Sequence, residues 1–145
     1  MASTEPVSFS RAAAEQLVEQ FEAGTISLAE FHHRQHLAVA AWLLIHHAPV
    51  RALARMRRGL QALLQRSGKT EGYHETVTVF WMRVLSARLE ECPAEWTPEA
   101  RLNDAVAWAE ESCPLQEHYS PERLAAPEAK QQFVEPDRRP LTPVQ

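Results

Sequence analysis

Apolar residues recur with the period of an α-helix along most of this chain. The first repeat predicts a helix over residues 10–23, which Gly24 ends. A second helix is predicted from about Leu28 to His47, because Ser27 and Glu30 match a capping box, in which each side chain accepts a hydrogen bond from the other residue's backbone. The second half of this helix is apolar on every side, which is typical of a helix in the middle of a bundle.

Three further helices follow from the same pattern. Proline suits the first turn of a helix, so Pro49 is expected to open a third helix that runs to about Arg66. A fourth is predicted over 73–90 and a fifth over 98–111, with Thr97 as its N-cap. Residues 76–80 are β-branched and alternate as a strand would. We still predict a helix there, because the helical spacing continues and no other segment offers a strand to pair with.

The C-terminal part of the chain has a different composition. Six of the ten prolines lie in residues 114–145, which argues against long helices in that part. We expect an irregular segment strapped across the bundle, with short helical turns after Ser120 and Ala126. The predicted fold is therefore a single all-α domain. Residues 1–113 form a four- to five-helix bundle, and 114–145 form a Pro-rich strap packed on the same domain, with its last residues loose.

Composition narrows the classes of protein that need to be considered. The chain has 145 residues and a formal net charge of −4, without the basic excess typical of nucleic-acid binders. Its longest apolar run is far shorter than the ~20 residues that span a bilayer, and no secretory signal is recognisable. A cytoplasmic protein with no nucleic-acid or membrane partner is expected. Cys92 and Cys113 flank a predicted helix, so they should lie too far apart to form a disulfide.

Histidines are concentrated in one place. Five of the seven fall within residues 32–47, and His74 opens the fourth predicted helix. His33 and His36 are spaced i,i+3, so they project from the same side of the second helix and are expected to be partly buried. Imidazole is the commonest metal ligand and changes its charge near neutral pH. The sequence thus predicts a site where two imidazoles on one turn face a third. The five clustered histidines are His32, His33, His36, His46 and His47.

Three segments also form a recognisable series. They are F-x-H-x-x-H-L at 31–37, G-Y-H-E-T-x-T-x-F-W at 72–81, and Y-S-P-E-R-L at 119–124 followed by V-E-P-D at 134–137. In this order and over most of the chain, they resemble a group of small all-helical bacterial proteins. The resemblance implies the same all-helical fold, and it marks His33, His36 and His74 as the positions shared with the group. It implies no activity, because none is assigned to the group.

Two functions remain open for these histidines. In the first, His33, His36 and His74 line a buried pocket and hold a divalent metal such as zinc, iron or nickel, or else a small polar ligand. Three histidines with an open position form a known catalytic zinc arrangement. In the second, the protein is a non-catalytic interaction module, with a small molecule or a protein as partner. Its histidines then form a structural hydrogen-bond network. The polar residues that would complete either site are Tyr73, Thr76 and Thr78.

A dinuclear iron site is a third and weaker hypothesis. Glu30 with His33, and Glu71 with His74, both read Glu-x-x-His, which is the motif of di-iron carboxylate bundles. That architecture also needs a glutamate from each of the other two helices. The third predicted helix contains no acidic residue, so the sequence does not supply the complete set.

Overall fold

The structure is a computed structural model that describes residues 8–112 and 114–141. Every regular element within these residues is helical, which confirms the predicted all-α class. No helix in this described part is long and apolar enough to cross a membrane. A 3₁₀ turn, Thr70–Gly72, lies between the third and fourth helices. The helices are α1 (Arg11–Ala23), α2 (His33–His46), α3 (Pro49–Arg66), α4 (Glu75–Glu90), α5 (Pro98–Ser112), α6 (Pro114–His118), α7 (Pro121–Ala125) and α8 (Pro127–Gln131).

The predicted start of α2 is wrong. Ser27 and Glu30 do bond to each other, since Ser27 Oγ donates to Glu30 Oε1 at 2.8 Å. They close a turn, however, and the helix begins at His33 instead of Leu28. The turn lets Phe31 enter the core, where its ring stacks on Phe21 with centroids 5.1 Å apart. Burying an aromatic ring is worth about 1.5–3 kcal/mol, more than a typical cap, so the tertiary contact decides where the helix starts.

Helix α2 occupies the centre of the molecule, as its apolar second half predicted. It packs against α1, α3, α4 and α5, and every residue from 37 to 43 is buried. The short N-terminal part of α2 is more polar and reaches the edge of this core. His33 and His36 therefore lie where the central helix emerges from the apolar interior.

The C-terminal segment forms three short helices, each opened by a proline. The turns predicted after Ser120 and Ala126 are confirmed as α7 and α8, whereas α6 was not predicted. Helices α6 and α8 pack on α4, where Phe80 and Tyr119 help to form a second small core. The predicted loose end at 142–145 and Cys113 lie outside the described residues, and Cys92 is a free thiol.

Candidate functional site

A cavity of about 370 Å³ lies between α2, α3, α4 and the connection that leads into α4. His33, His36 and His74 all line it, so the structure brings the three predicted imidazoles to one place. Tyr73 and Thr78 line it as well. The volume falls within the range of about 300–1,000 Å³ found for small-molecule pockets.

Most of the cavity wall is apolar. Leucines from α2 and α3 form much of it, and Met56 and Met82 face it from α3 and α4. Trp81 adds an aromatic surface beside the histidines. Among the described residues that line the cavity there is no Asp, Glu, Lys or Arg. The site therefore combines an uncharged apolar interior with a few polar groups at one side.

The two histidines of α2 have different surroundings. His33 is the first residue of the helix and is exposed at the rim, contrary to the expected burial, with its ring edge-on to Trp81 at 5.3 Å. His36 is half-buried, and the centroids of its ring and the Phe31 ring lie 4.1 Å apart. Burial and the nearby His33 lower the pKa of His36 to about 4, while a hydrogen bond with the Phe31 backbone works in the opposite direction. His36 is therefore neutral at physiological pH.

His74 is held by the backbone on both sides of its ring. It is the N-cap of α4, and its Nδ1 accepts a hydrogen bond from Val77 N at 3.2 Å. Its Nε2 lies 2.7 Å from the carbonyl oxygen of Leu124 in α7, so Nε2 carries the proton and donates. This single ring therefore starts α4, ties it to the C-terminal segment and forms part of the cavity wall. Neither nitrogen has a lone pair left for a metal ion.

An ion pair supports the wall behind Tyr73. The Arg57 guanidinium donates to both carboxylate oxygens of Glu75, at 2.9 and 2.5 Å, and the Tyr73 hydroxyl donates to the same carboxylate at 2.5 Å. Burial raises the pKa of Tyr73 to about 12, and the hydrogen bond to Glu75 is the second-largest cause. Burial alone would raise the pKa of Glu75, but the hydrogen bonds from Arg57 and Tyr73 lower it overall. At neutral pH Tyr73 is thus protonated and Glu75 is ionised.

The two predicted threonines lie on different faces of α4. Thr78 Oγ1 donates to the His74 carbonyl at 2.9 Å and borders the cavity. Thr76 does not reach the cavity: its hydroxyl lies 2.7 Å from the Ala129 carbonyl and accepts from Val134 N at 3.1 Å. Positions two apart on a helix differ by about 200°, so one of the two must face away. Thr76 anchors the C-terminal segment and is not part of the site.

The predicted metal chemistry has limited support from this geometry. Within residues 8–112 and 114–141, no group of three or more His, Cys, Asp or Glu side chains is close enough to hold a metal ion. Glu30 and Glu71, which the dinuclear hypothesis needs, are both exposed and neither lines the cavity. Of the predicted polar network, the Thr78 hydroxyl bonds to the His74 backbone and interacts with the Tyr73 hydroxyl. Thr76 bonds elsewhere.

Several residues of the site were missed by the sequence analysis. Arg57 pairs with Glu75 of α4, and no local pattern in the sequence specifies a contact between residues 18 positions apart. Met56 and Met82 are the only methionines after the first residue of the chain, and both face the cavity. Methionine is frequent at adaptable binding surfaces, so these two positions could have indicated a binding cavity between α3 and α4.

Comparisons with protein-family models, with curated proteins and with solved structures found no match to this chain.

Proposed function

We propose that this protein binds a small organic molecule in the histidine-lined cavity. The observation that carries this proposal is the cavity itself: an apolar chamber of about 370 Å³ with convergent polar groups at one side. An apolar pocket with a few convergent polar groups is the usual signature of a small-molecule binding site. An apolar cavity of about 150 Å³ already binds benzene, so the space here is ample for a small ring system.

The polar side of the cavity can orient a bound ligand. His36 and Thr78 come from α2 and α4, and Tyr73 lines the same side from the connection, so a ligand held there contacts three parts of the chain. Their positions are fixed by packing and by hydrogen bonds within the protein. A preorganised site of this kind loses little entropy when a ligand binds, which supports useful affinity from a small contact area.

A divalent metal is the second candidate, favoured by the i,i+3 spacing of His33 and His36 at one cavity wall. His74 weighs against a three-histidine site, because both its ring nitrogens bond to the backbone. A metal here would need its remaining ligands from water or from a bound molecule. The third possibility, a purely structural role, is supported for His74, whose two ring nitrogens both bond to the backbone, and in part for His36, which bonds to the Phe31 backbone.

We further propose that residues 1–113 form the bundle that contains the site and that residues 114–145 form a strap packed on the same domain. The strap reaches the cavity wall through the contact of His74 with Leu124. A cytoplasmic location stays a prediction from the sequence.

The test is a thermal-shift screen with a fragment library and, separately, with Zn²⁺, Ni²⁺ and Fe²⁺, on protein purified without a histidine tag. The variant Val77→Phe fills the cavity from a half-buried position in its wall. The matched control is Val50→Phe, the same change at a site that is 83% exposed on α3. A ligand at 100 times its Kd stabilises the native state by about 2.7 kcal/mol, which raises the melting temperature by several degrees.

We expect fragments that stabilise the wild type and Val50→Phe but have no effect on Val77→Phe. If no fragment behaves in this way, or if the shifts persist in Val77→Phe, the proposal is wrong. A shift produced by a metal ion and lost in His33→Ala would support the second candidate instead.

A further inference from the structure

We infer that the cavity selects an uncharged aromatic molecule that donates a hydrogen bond, such as an indole or a phenol. This inference rests on the proposed function and specifies the chemical class of its ligand. It follows from three properties of the wall: which hydrogen-bonding capacities are already used, which side chains form the apolar surface, and where the charges lie.

The hydrogen-bond donors of the polar wall are used within the protein. The Thr78 hydroxyl donates to the His74 carbonyl, the Tyr73 hydroxyl donates to Glu75, and His74 Nε2 donates to Leu124. A hydroxyl oxygen that donates its one proton still has lone pairs with which to accept. The Tyr73 oxygen is already occupied by hydrogen bonds with the Arg57 and Thr78 side chains. Of the two hydroxyls, Thr78 is therefore the one that presents an acceptor to the cavity.

His36 adds an acceptor of the same kind. Its ring is neutral, so one nitrogen carries a proton and the other carries a lone pair. The hydrogen bond with the Phe31 backbone raises its pKa, as a bond from a ring N–H to a carbonyl does, and such a bond uses the donor nitrogen. The other nitrogen remains available as an acceptor. His33, exposed at the rim, can take either role in water.

The apolar surface suits a flat ring. Met56 and Met82 both face the cavity together with Trp81. Thioether sulfurs make favourable contacts with aromatic rings, worth about 0.3–1.5 kcal/mol each at separations of about 5 Å, and the flexible methionine side chain adapts to the ligand outline. An aliphatic ligand of equal size would gain the same burial without these contacts.

The described residues that line the cavity include no Asp, Glu, Lys or Arg, and the ion pair of Arg57 with Glu75 lies behind the wall. The carboxylate of Glu75 lies behind Tyr73 and is already paired with Arg57. A charged ligand would lose its hydration on entering this chamber and would meet no free counter-charge, which is costly in an apolar environment. The site should therefore exclude carboxylates and ammonium ions.

The experiment is isothermal titration calorimetry of the 145-residue chain with indole and benzofuran. These two rings have nearly the same shape, but the N–H donor of indole is replaced by an oxygen acceptor in benzofuran. Benzoate and benzylammonium serve as charged probes. We expect indole to bind about tenfold more tightly than benzofuran, because benzofuran has no N–H to fill the acceptors of the wall. Neither charged probe should bind as tightly as indole.

Two variants assign the preference to the site. Thr78→Val and His36→Leu each remove one acceptor with little change in volume, so at least one of them should bring the two affinities closer together. Benzofuran should still bind these variants, which shows that the cavity remains formed.

Other outcomes overturn the inference in distinguishable ways. Equal binding of indole and benzofuran to the wild type contradicts the donor requirement and leaves the proposed function intact. Tighter binding of either charged probe contradicts the neutral class. If none of the four probes binds while other fragments stabilise the protein through the cavity, the chemical class alone is wrong; if no fragment does, the proposed function fails as well.

Discussion

At the scale of single residues, the environment of one imidazole sets the chemistry of the cavity. His36 belongs to the polar end of α2, but its ring packs on Phe31 and is half-buried beside His33. Burial disfavours the charged form of the ring, and the neighbouring imidazole adds to this effect. The result is a neutral hydrogen-bonding group at a pH where many exposed histidines are partly charged.

The lowered pKa of His36 makes stability depend on pH in a defined direction. The unfolded state, with its pKa near 6.5, takes up the proton before the folded state, whose pKa is about 4. The contribution is fully present above pH 6.5 and is lost as the pH falls towards 4. Between pH 7.5 and pH 5, this one group should lower the free energy of unfolding by about 2 kcal/mol.

Urea denaturation of the wild type and His36→Gln at these two pH values measures this effect. The variant should lose about 2 kcal/mol less than the wild type over the same interval. The control His32→Gln replaces an exposed histidine at the same helix end and measures how much of any change comes from losing an imidazole there. An equal loss in the wild type and His36→Gln would show that His36 is protonated at pH 5 in the folded protein.

At the scale of elements, the packing of α1 against α3 depends on one residue without a side chain. Gly59 is buried in the middle of α3, where intrinsic propensity favours alanine by about 1 kcal/mol. A Cβ atom at this position would lie 2.2 Å from the ring of Phe21 on α1. That ring cannot easily move, because it is buried and stacked on Phe31. Glycine thus allows the close approach of two helices.

Gly59→Ala should therefore destabilise the protein in spite of the gain in helix propensity. Overpacking of this kind costs about 1–3 kcal/mol. A double-mutant cycle with Phe21→Leu, followed by urea denaturation, separates the two effects. With the smaller side chain on α1, Gly59→Ala should become close to neutral or stabilising. An equal cost in both backgrounds would place the strain elsewhere.

At the scale of the whole molecule, α4 joins the bundle to the C-terminal segment. One end of this link is His74, which bonds to Leu124, and the other is Thr76, whose hydroxyl contacts Ala129 and Val134. Phe80 and Tyr119 pack between them in the second core. Because His74 also lines the cavity, the C-terminal segment helps to define the wall of the proposed site.

The same change, threonine to valine, at positions 76 and 78 of α4 tests whether Thr76 anchors the C-terminal segment. Thr76→Val leaves the buried Val134 N–H without its acceptor and should cost about 2 kcal/mol, since a buried unsatisfied group costs about 1–3 kcal/mol. Thr78→Val removes a hydroxyl that donates to the carbonyl of the nearby N-cap residue His74 and should cost less. Urea denaturation gives the two values, and amide exchange of Val134 should quicken in Thr76→Val alone. Equal costs with unchanged exchange would contradict the anchoring role.

Local signals in the sequence determined much of this protein. Helical periodicity predicted five long helices, and the rejection of a strand at 76–80 was correct, because the repeat continued past the β-branched residues. Proline at the first turn of α3, and left-handed Gly24 with φ +78° after α1, set helix ends through backbone geometry alone. The i,i+3 spacing also placed His33 and His36 on one side of α2.

Only the tertiary structure decided the remaining features, because they depend on contacts between residues far apart in the chain. The burial of Phe31 against Phe21 moved the start of α2 past a satisfied capping box. The bond from His74 to Leu124 spans 50 positions and used the nitrogen that a metal would need. Whether an imidazole is a ligand, an acceptor or an anchor depends on the groups that packing brings to its two nitrogens, and no local pattern in a sequence specifies those groups.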